Sequence, residues 1–513
     1  MVPENKPPVL IAGAGPTGLV LALWLTRLGV GVRIIDKVAE AGTTSRALAV
    51  QARTLEFYQQ LGIANLVVSE GVEIGGINLW AGGRPAARVP LDNLGAGATP
   101  FPLPLVFPQD AHERMLIGQL EGLGARIERQ TELIRFDQES ERIRATLRGP
   151  GGATQTCDAS YLAGCDGARS AVRETLGIRF PGGTYQGLFY VADVEAQGPV
   201  TNFELHVDLD ESDILLVFPM KGKGRVRLVG SVRETKGKEE GKLTFADISS
   251  RPIEHLKIRI ERVNWFSTYK VHHRVADMFR DRRVFLLGDA AHIHSPAGGQ
   301  GMNTGIGDAV NLAWKLAAVL RGQADSRLLD TYEPERIAFA RRLVSTTDRV
   351  FTVGTARGAL ARFARTRLVP LVAPAIFRIK AARSFFFRTI SQIGVHYPVS
   401  PLSDGRAGRL RGGDRLPWTG EASDPGNFAP LTSLAWQVHV YGEPKPRVAE
   451  ICGALNLPVH VFSWSERVRA AGLERSALYL IRPDGYVALI DGSGAAEGLR
   501  GYLERLGLRP TGR

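Results

Sequence analysis

The stretch PVLIAGAGPTGLVLALWLTRLGVGVRIIDK, residues 8–37, decides the fold. Its opening apolar run reads as a short strand buried on both faces, the run after Gly18 as an apolar helix, and VRII as a second strand. Gly13, Gly15 and Gly18 form GxGxxG at the strand-to-helix turn. Side chains there would block the approach of backbone to a pyrophosphate and the packing of helix on strand. Pro16 and Thr17 open the helix, whose free N–H groups suit phosphate oxygens. Asp36 ends the second strand, placed to accept hydrogen bonds from ribose hydroxyls and to repel a 2′-phosphate, with Lys37 beside it. Together these features predict a βαβ dinucleotide-binding unit, and the chain carries only one such fingerprint.

Two later glycine-acid turns extend the reading. In ASYLAGCDGARSAVRETLG, residues 159–177, a strand opens through Asp166 and Gly167 into a short helix. In RVFLLGDAAHIHSPAGGQGMNTGIGDAVNLAWKLAAVL, residues 283–320, a strand reaches Gly288 and Asp289, and a glycine-rich turn then leads into a long helix. A carboxylate at a strand end beside glycine can hold polyol hydroxyls, as a ribityl chain requires. A helix starting near Gly301 aims N–H groups and its positive end at whatever lies in front, which suits the negative charge of a reduced isoalloxazine ring.

These three motifs, in this order over about the first 345 residues, resemble the FAD-dependent aromatic hydroxylases of the para-hydroxybenzoate hydroxylase type, the class A flavin monooxygenases. The resemblance implies that Gly13, Gly15, Gly18 and Asp36 hold the ADP half of FAD and that Asp289, with Gly288, holds the ribityl chain. It brings Arg46, in SRALAVQARTLEFYQQLG, and Gln109, in VFPQDAHERML, close to the cofactor. Gly299, Gly301, Met302 and Asn303 would meet the flavin edge, the last three through their backbone, and Asp166 would serve both FAD and the transient NADPH or NADH. Arg46, His294 and Pro296 are the candidates for catalysis, although a hydrogen-bonded loop residue is the plainer reading of His292 and His294. The implied activity is insertion of one atom of O2 into a phenolic or polyketide-like ring through a flavin C4a-hydroperoxide. Baeyer–Villiger oxygenation, epoxidation and a reductase that never uses oxygen are the alternatives on the same scaffold.

The fold expected is α/β: a Rossmann-type FAD-binding domain, an inserted mostly antiparallel β-sheet substrate domain and a C-terminal thioredoxin-like α/β domain. The boundaries read from sequence are 1–182 and 275–345 for the FAD-binding domain and 183–274 for the β-sheet domain. A helical basic segment spans 346–397, a linker rich in Pro, Gly and Ser spans 398–415, and the last unit spans 416–513. YQGLFYVADVEA, DILLVFPM and GRVRLVGSVRE carry the β pattern of the substrate layer. Tyr190, Phe218, Pro219 and Met220 are its candidate pocket residues. The C-terminal unit resembles that of phenol hydroxylase and related polyketide hydroxylases but has no CxxC, so redox work by it is not expected.

Composition excludes several other classes. Of 513 residues, 44% are hydrophobic and 23% charged, which describes a globular chain rather than a disordered one. Three cysteines, Cys157, Cys165 and Cys452, fit neither a disulfide framework nor a zinc site, and His272–His273 has no ligand spacing, so no metal is expected. A cytoplasmic location is expected, with no signal or transit peptide before the first strand. The net charge of +12 is concentrated: Arg341 to Ile390 holds eleven Lys or Arg and one acid, Asp348. No RNP, zinc-finger or basic-zipper pattern accompanies that stretch, so no nucleic acid is expected. A solvated helical face, or weak peripheral contact with an anionic membrane, accounts for it. The partner expected is a small aromatic substrate, the protein acting as a monomer or homodimer.

Overall fold

A computed structural model describes residues 8–42, 47–92, 94–209, 214–232, 243–355, 358–421 and 424–510. The strand Val9–Ala12 lies at the heart of a six-stranded sheet, parallel to Val32–Ile35 on one side and to Tyr161–Gly164 on the other. Val284–Leu286 and Ile127–Glu128 extend this parallel array, and Arg280–Asp281 closes one edge antiparallel. All four residues of the central strand are buried, which its unbroken apolar run requires of a strand covered on both faces. The helix Pro16–Arg27 crosses one face, starting at proline and burying Gly18 through Leu25. The long helix Gly301–Leu320 packs against it and is buried over nearly its whole length.

A second sheet of eight strands stands beside the first, in the order His292–Ile293, Arg259–Val275, Gly182–Gln197, Arg225–Val232, Leu215–Pro219, Leu205–Asp208, Gly76–Ala81 and Arg84–Pro90. It is antiparallel except where Leu205–Asp208 runs parallel to Gly76–Ala81. This layer therefore draws on more than residues 183–274. The hairpin Gly76–Pro90 lies 92 positions before Gly182 at its last residue, and only non-local pairing reveals that it belongs here. Direct opposition across the strands aligns Trp265, Asp193, Arg227 and Phe218 in one row on one face. That face meets Leu48 and Ala52 of the first domain in an apolar cluster. The opposite face buries Tyr190, Ala192, Val194, Val226 and Leu228 beneath residues 245–258.

The C-terminal sheet runs Leu410–Arg411, Asp404–Ala407, Val487–Asp491, Leu478–Ile481, Gln437–Tyr441 and Val459–Phe462. The two strands nearest its edge lie inside the stretch read as linker. Asp404 and Gly405 pair with Leu489 and Ile490, so this unit begins by Asp404 rather than at 416. Gly405, at φ +75°, adopts a backbone that side chains disfavour, and a Cβ there would stand 2.0 Å from the Ile490 carbonyl oxygen. Turn-type residues thus serve a strand edge here. The hairpin at Asp484–Gly485 forms as read, between Leu478–Ile481 and Val487–Asp491. Cys452 is buried and burial raises its thiol to about 11, which makes it chemically inert.

Buried charge joins this unit to the first domain. Arg482 donates to Glu335 at 2.8 Å and to Asp484 at 2.6 Å, and Lys315 of the long helix donates to the same Glu335 at 2.9 Å. Trp314 Nε1 donates to Asp484 at 3.1 Å. Arg415 reaches Glu56 at 2.8 Å in a second buried pair. Buried ions are tolerated only when each is paired and hydrogen-bonded, so the C-terminal unit holds the long helix in one position.

Candidate active site

Three separated segments meet at Thr17. A Cβ on Gly305 would stand 2.3 Å from Thr17 Oγ1, and one on Gly288 would stand 2.7 Å from it. Glycine at both positions lets the long helix and the Gly288–Asp289 turn close on the first helix. The third glycine of the fingerprint works in the same way, since a Cβ on Gly18 would lie 2.0 Å from the Gly13 carbonyl oxygen. Gly13, at φ +104°, presses against the Cys165–Asp166 backbone, with 2.3 Å between its notional Cβ and Cys165 O. Gly15 differs from all of these: no atom lies within 4 Å of where its Cβ would be. Its open side faces away from protein, where a pyrophosphate would approach the helix N-terminus.

The acids around this turn have distinct environments. Asp36 is half-buried, and its two carboxylate oxygens accept from Ala14 N–H at 2.7 Å and Val38 N–H at 3.0 Å. Arg129 lies 3.7 Å from the same carboxylate, while Lys37 is exposed. Asp166 Oδ2 accepts from Val172 N–H at 3.1 Å, but its Oδ1 is buried without a hydrogen-bond partner. Burial raises the Asp166 carboxyl against the opposing hydrogen bonds of Ser170 and Val172. Asp289 is exposed between the buried Gly288 and Ala290, so the turn pushes its carboxylate out of the sheet edge.

Asp308 organises the next layer, within the long helix. It is fully buried and accepts from Gly288 N–H at 3.0 Å, from Arg336 Nε at 2.6 Å and stands 2.7 Å from His292 Nε2. Burial alone would raise its carboxyl, but Arg336 and His292 hold it below the usual carboxylate range. His292 is thus committed to Asp308, in the hydrogen-bonded role read for a loop histidine. His294 stands differently. Its Nδ1 donates to the Ser295 carbonyl at 2.8 Å, and its Nε2 is buried without a partner, beside Gly301 at the start of the long helix. Burial lowers the imidazole to about 4, so it is neutral at neutral pH.

The residues expected at the flavin edge occupy one turn and the start of the long helix. Pro296 is exposed at the head of the turn Ala297–Gly299, in which Gly298 and Gly299 take φ of +75° and +62°. Asn303 spends its side chain on protein, donating to Ala49 O and Gly299 O and accepting from Gln51 N–H and Thr54 Oγ1. The N–H groups of Gly301 and Met302 belong to the first turn of the long helix, which has no earlier helical carbonyl to bond. Gln109 Nε2 donates to Glu113 at 2.8 Å, and the Gln109–Glu113 pair accepts from Ala47 N–H at 3.4 Å and Gly42 N–H at 3.3 Å. The pair thereby holds the backbone at Gly42 and at Ala47. Arg46 itself lies outside the described residues.

The candidate pocket residues divide. Phe218 lies on the face of Arg227 and Asp193, toward the first domain. Tyr190 lies on the far face and is 2% exposed, packed against Phe266 and Phe245; Pro219, opposite Val226, also belongs to the far side. Alternation along a strand is the reason, since Phe218 and Pro219 must point in opposite directions. Met220 is buried in the turn that follows. Choosing by residue type missed the charged pair at the centre of the inner face. Arg227 is 1% exposed, donates to Asp193 at 2.7 Å and reaches the Ala47 carbonyl at 3.4 Å. The signal was available in ADV and VRL, where Asp193 and Arg227 each stand between two apolar residues. Among the described residues no group of His, Cys, Asp and Glu could hold a metal ion, and no helix is long and apolar enough to cross a membrane.

The residues present fit FAD: an open glycine at a helix N-terminus, an exposed acid at a sheet edge, and two buried polar atoms without partners, Asp166 Oδ1 and His294 Nε2. Comparison with known proteins agrees. Residues 6–347 match the FAD binding domain family. A 6-methylpretetramide 4-monooxygenase from Streptomyces rimosus is 39% identical over 423 residues, covering 80% of this chain and 74% of that protein. A flavin-dependent monooxygenase from Mycobacteroides abscessus is 32% identical over 502 residues, covering 95% and 97%. An anhydrotetracycline hydroxylase from Streptomyces rimosus shares the fold with a TM-score of 0.78 and 28% identity, over 99% of this chain and 100% of that one. The chain therefore belongs to the FAD binding domain family and is an FAD-dependent monooxygenase that hydroxylates aromatic substrates with O2 and a reduced nicotinamide.

Proposed function

We propose that the substrate is a fused-ring, polyketide-type phenol, hydroxylated on the inner face of the eight-stranded sheet. The observation that carries this reading is the row Trp265–Asp193–Arg227–Phe218. It crosses three interstrand spacings, about 14 Å, which exceeds the width of one benzene ring. Leu216 and Val229 flank it with apolar surface on the same face, while Arg227 is buried in its pair with Asp193 and fixes the register of the face rather than meeting the ring. The tetracycline-type names of two of the similar proteins accord with a substrate of that shape.

Bound FAD supplies the redox chemistry, in which NAD(P)H, a proton, O2 and the arene become NAD(P)⁺, water and the hydroxyarene. The chain's own residues do the rest. The N–H groups of Gly15, Thr17 and Gly18 would hold the pyrophosphate, Asp36 the adenosine ribose, and Asp289 the ribityl hydroxyls. The free N–H groups at Gly301–Asn303, in the first turn of the long helix, would stabilise the negative charge of the reduced ring. Neutral His294 offers its Nε2 lone pair at that edge, positioned to accept a hydrogen bond from substrate or cofactor. The sheet and the loops around residues 47–52 exclude water from the reacting ring. Pro296 is assigned to the flavin edge, and Asp166 to the approach of the nicotinamide donor. The proposed location is the cytoplasm, where that donor is abundant, for a monomer or a homodimer.

The test compares NADPH and NADH oxidation stimulated by anhydrotetracycline and by phenol, with product masses recorded. A kcat/KM about 100-fold higher for the fused-ring compound, with a product one oxygen heavier, is expected from the added apolar contact. Equal or better use of phenol would overturn the substrate assignment.

A further inference from the structure

The helices between Ala359 and Ile390 carry a surface that the flavin and substrate chemistry does not use. Of the eighteen large apolar residues exposed among the described residues, nine fall in the 26 positions from Leu360 to Phe385. Leu360, Leu371 and Phe385 are 86%, 73% and 75% exposed. The same stretch, 358–390, holds seven Lys or Arg and no Asp or Glu. The segment is nonetheless folded onto the body of the protein. Phe377, Phe386, Phe387 and Ile390 pack inward against the cluster containing Phe218, and Gln300 donates to the Ile390 carbonyl at 2.7 Å. Its outer side is what remains unmatched: apolar side chains flanked by exposed Arg367, Arg378, Lys380 and Arg388.

The charge decides what covers it. A second copy meeting this face about a twofold axis would oppose its exposed cations to the same cations of the first, with no acid within the segment to relieve them. Phosphate headgroups and acyl chains complement both features at once, the cations meeting phosphate while the apolar side chains enter the boundary of the hydrocarbon. We propose that residues 358–390 dock the protein on an anionic lipid bilayer, lying on its surface with the inner side of the segment toward the substrate face.

The experiment is co-sedimentation of the flavin-loaded protein with vesicles of phosphatidylcholine, with and without one-quarter phosphatidylglycerol. Binding only to the anionic vesicles, reversed by high salt, is expected. A cation near such a surface contributes about fivefold, so Arg378→Gln with Lys380→Gln should weaken binding about 25-fold. Leu371→Ser with Phe385→Ser should abolish it, with flavin content unchanged in both double variants as evidence of folding. The proposal is overturned by absence of binding, by equal binding to neutral vesicles, or by variants that bind as well as the parent. A solution dimer that Leu371→Ser dissociates would overturn it as well, assigning the face to a second copy.

Discussion

Asp308 Oδ2 accepts the Gly288 N–H at 3.0 Å, fastening the turn that presents Asp289 to a carboxylate twenty residues later in the chain. Arg336 and His292 complete the surroundings of that carboxylate. Asp308→Asn keeps the shape but removes the charge that balances a buried guanidinium, a loss that typically costs about 3–5 kcal/mol. Urea unfolding should show a loss of that size, and the purified variant should retain less FAD per chain. A variant as stable and as yellow as the parent would contradict the role assigned to Asp308.

The glycines of the fingerprint separate ligand space from packing space. Gly15→Val adds a side chain where no protein atom lies within 4 Å, so the apoprotein should unfold within about 0.5 kcal/mol of the parent. Its affinity for FAD, titrated by flavin fluorescence, should fall at least about 100-fold, or about 2.7 kcal/mol. Gly18→Val meets the Gly13 carbonyl at 2.0 Å and should not give a soluble fold. Normal FAD affinity in Gly15→Val would remove the pyrophosphate from this turn.

Much of this site is legible before any coordinates, because backbone geometry dictates residue type. Gly13, Gly18, Gly288 and Gly305 are glycine for want of room, and the acids at 36, 166 and 289 stand at strand ends that pattern alone locates. The inner face of the second sheet is less legible. Whether Phe218 or Tyr190 faces the cleft depends on strand register, and the pairing of Gly182–Gln197 shifts between Asp193 and Val194. The hairpin Gly76–Pro90 joins that sheet through contacts that no local window contains. Asp308 sits in a recognisable motif, DAVNLAWKL, but its partners Gly288, His292 and Arg336 come together only in the fold.

Four buried histidines set the response to acid. Burial lowers His112 and His439 to about 3 and His206 and His294 to about 4, whereas an unfolded chain protonates histidine near pH 6.5. Between those values the unfolded chain binds protons that the native one does not, so stability is lost as pH falls from about 6.5 toward 4. The loss reaches about 1.4 kcal/mol per pH unit for each histidine. Urea midpoints at pH 7 and pH 5 measure it, and an unchanged midpoint at pH 5 would contradict the neutral, buried state of these rings.

The two faces of the second sheet should answer differently to mutation. Phe218→Ala opens the inner face and should raise KM for a fused-ring substrate about tenfold, with FAD content unchanged, by loss of apolar contact worth about 1.4 kcal/mol. Tyr190→Phe alters only the far side and should leave kcat and KM within about twofold. Steady-state kinetics of both variants decide, and a larger effect at Tyr190 would reverse the assignment of faces.

Oxygen transfer itself is tested most directly by running the reaction under ¹⁸O2 with NADPH or NADH and a fused-ring phenol, then weighing the product. An FAD-dependent hydroxylase gives a hydroxylated ring carrying one ¹⁸O for each nicotinamide productively used, the second oxygen atom leaving as water. Nicotinamide oxidation with unlabelled product, or with no oxygen gained by any aromatic substrate offered, would contradict the assignment of this cleft to monooxygenation.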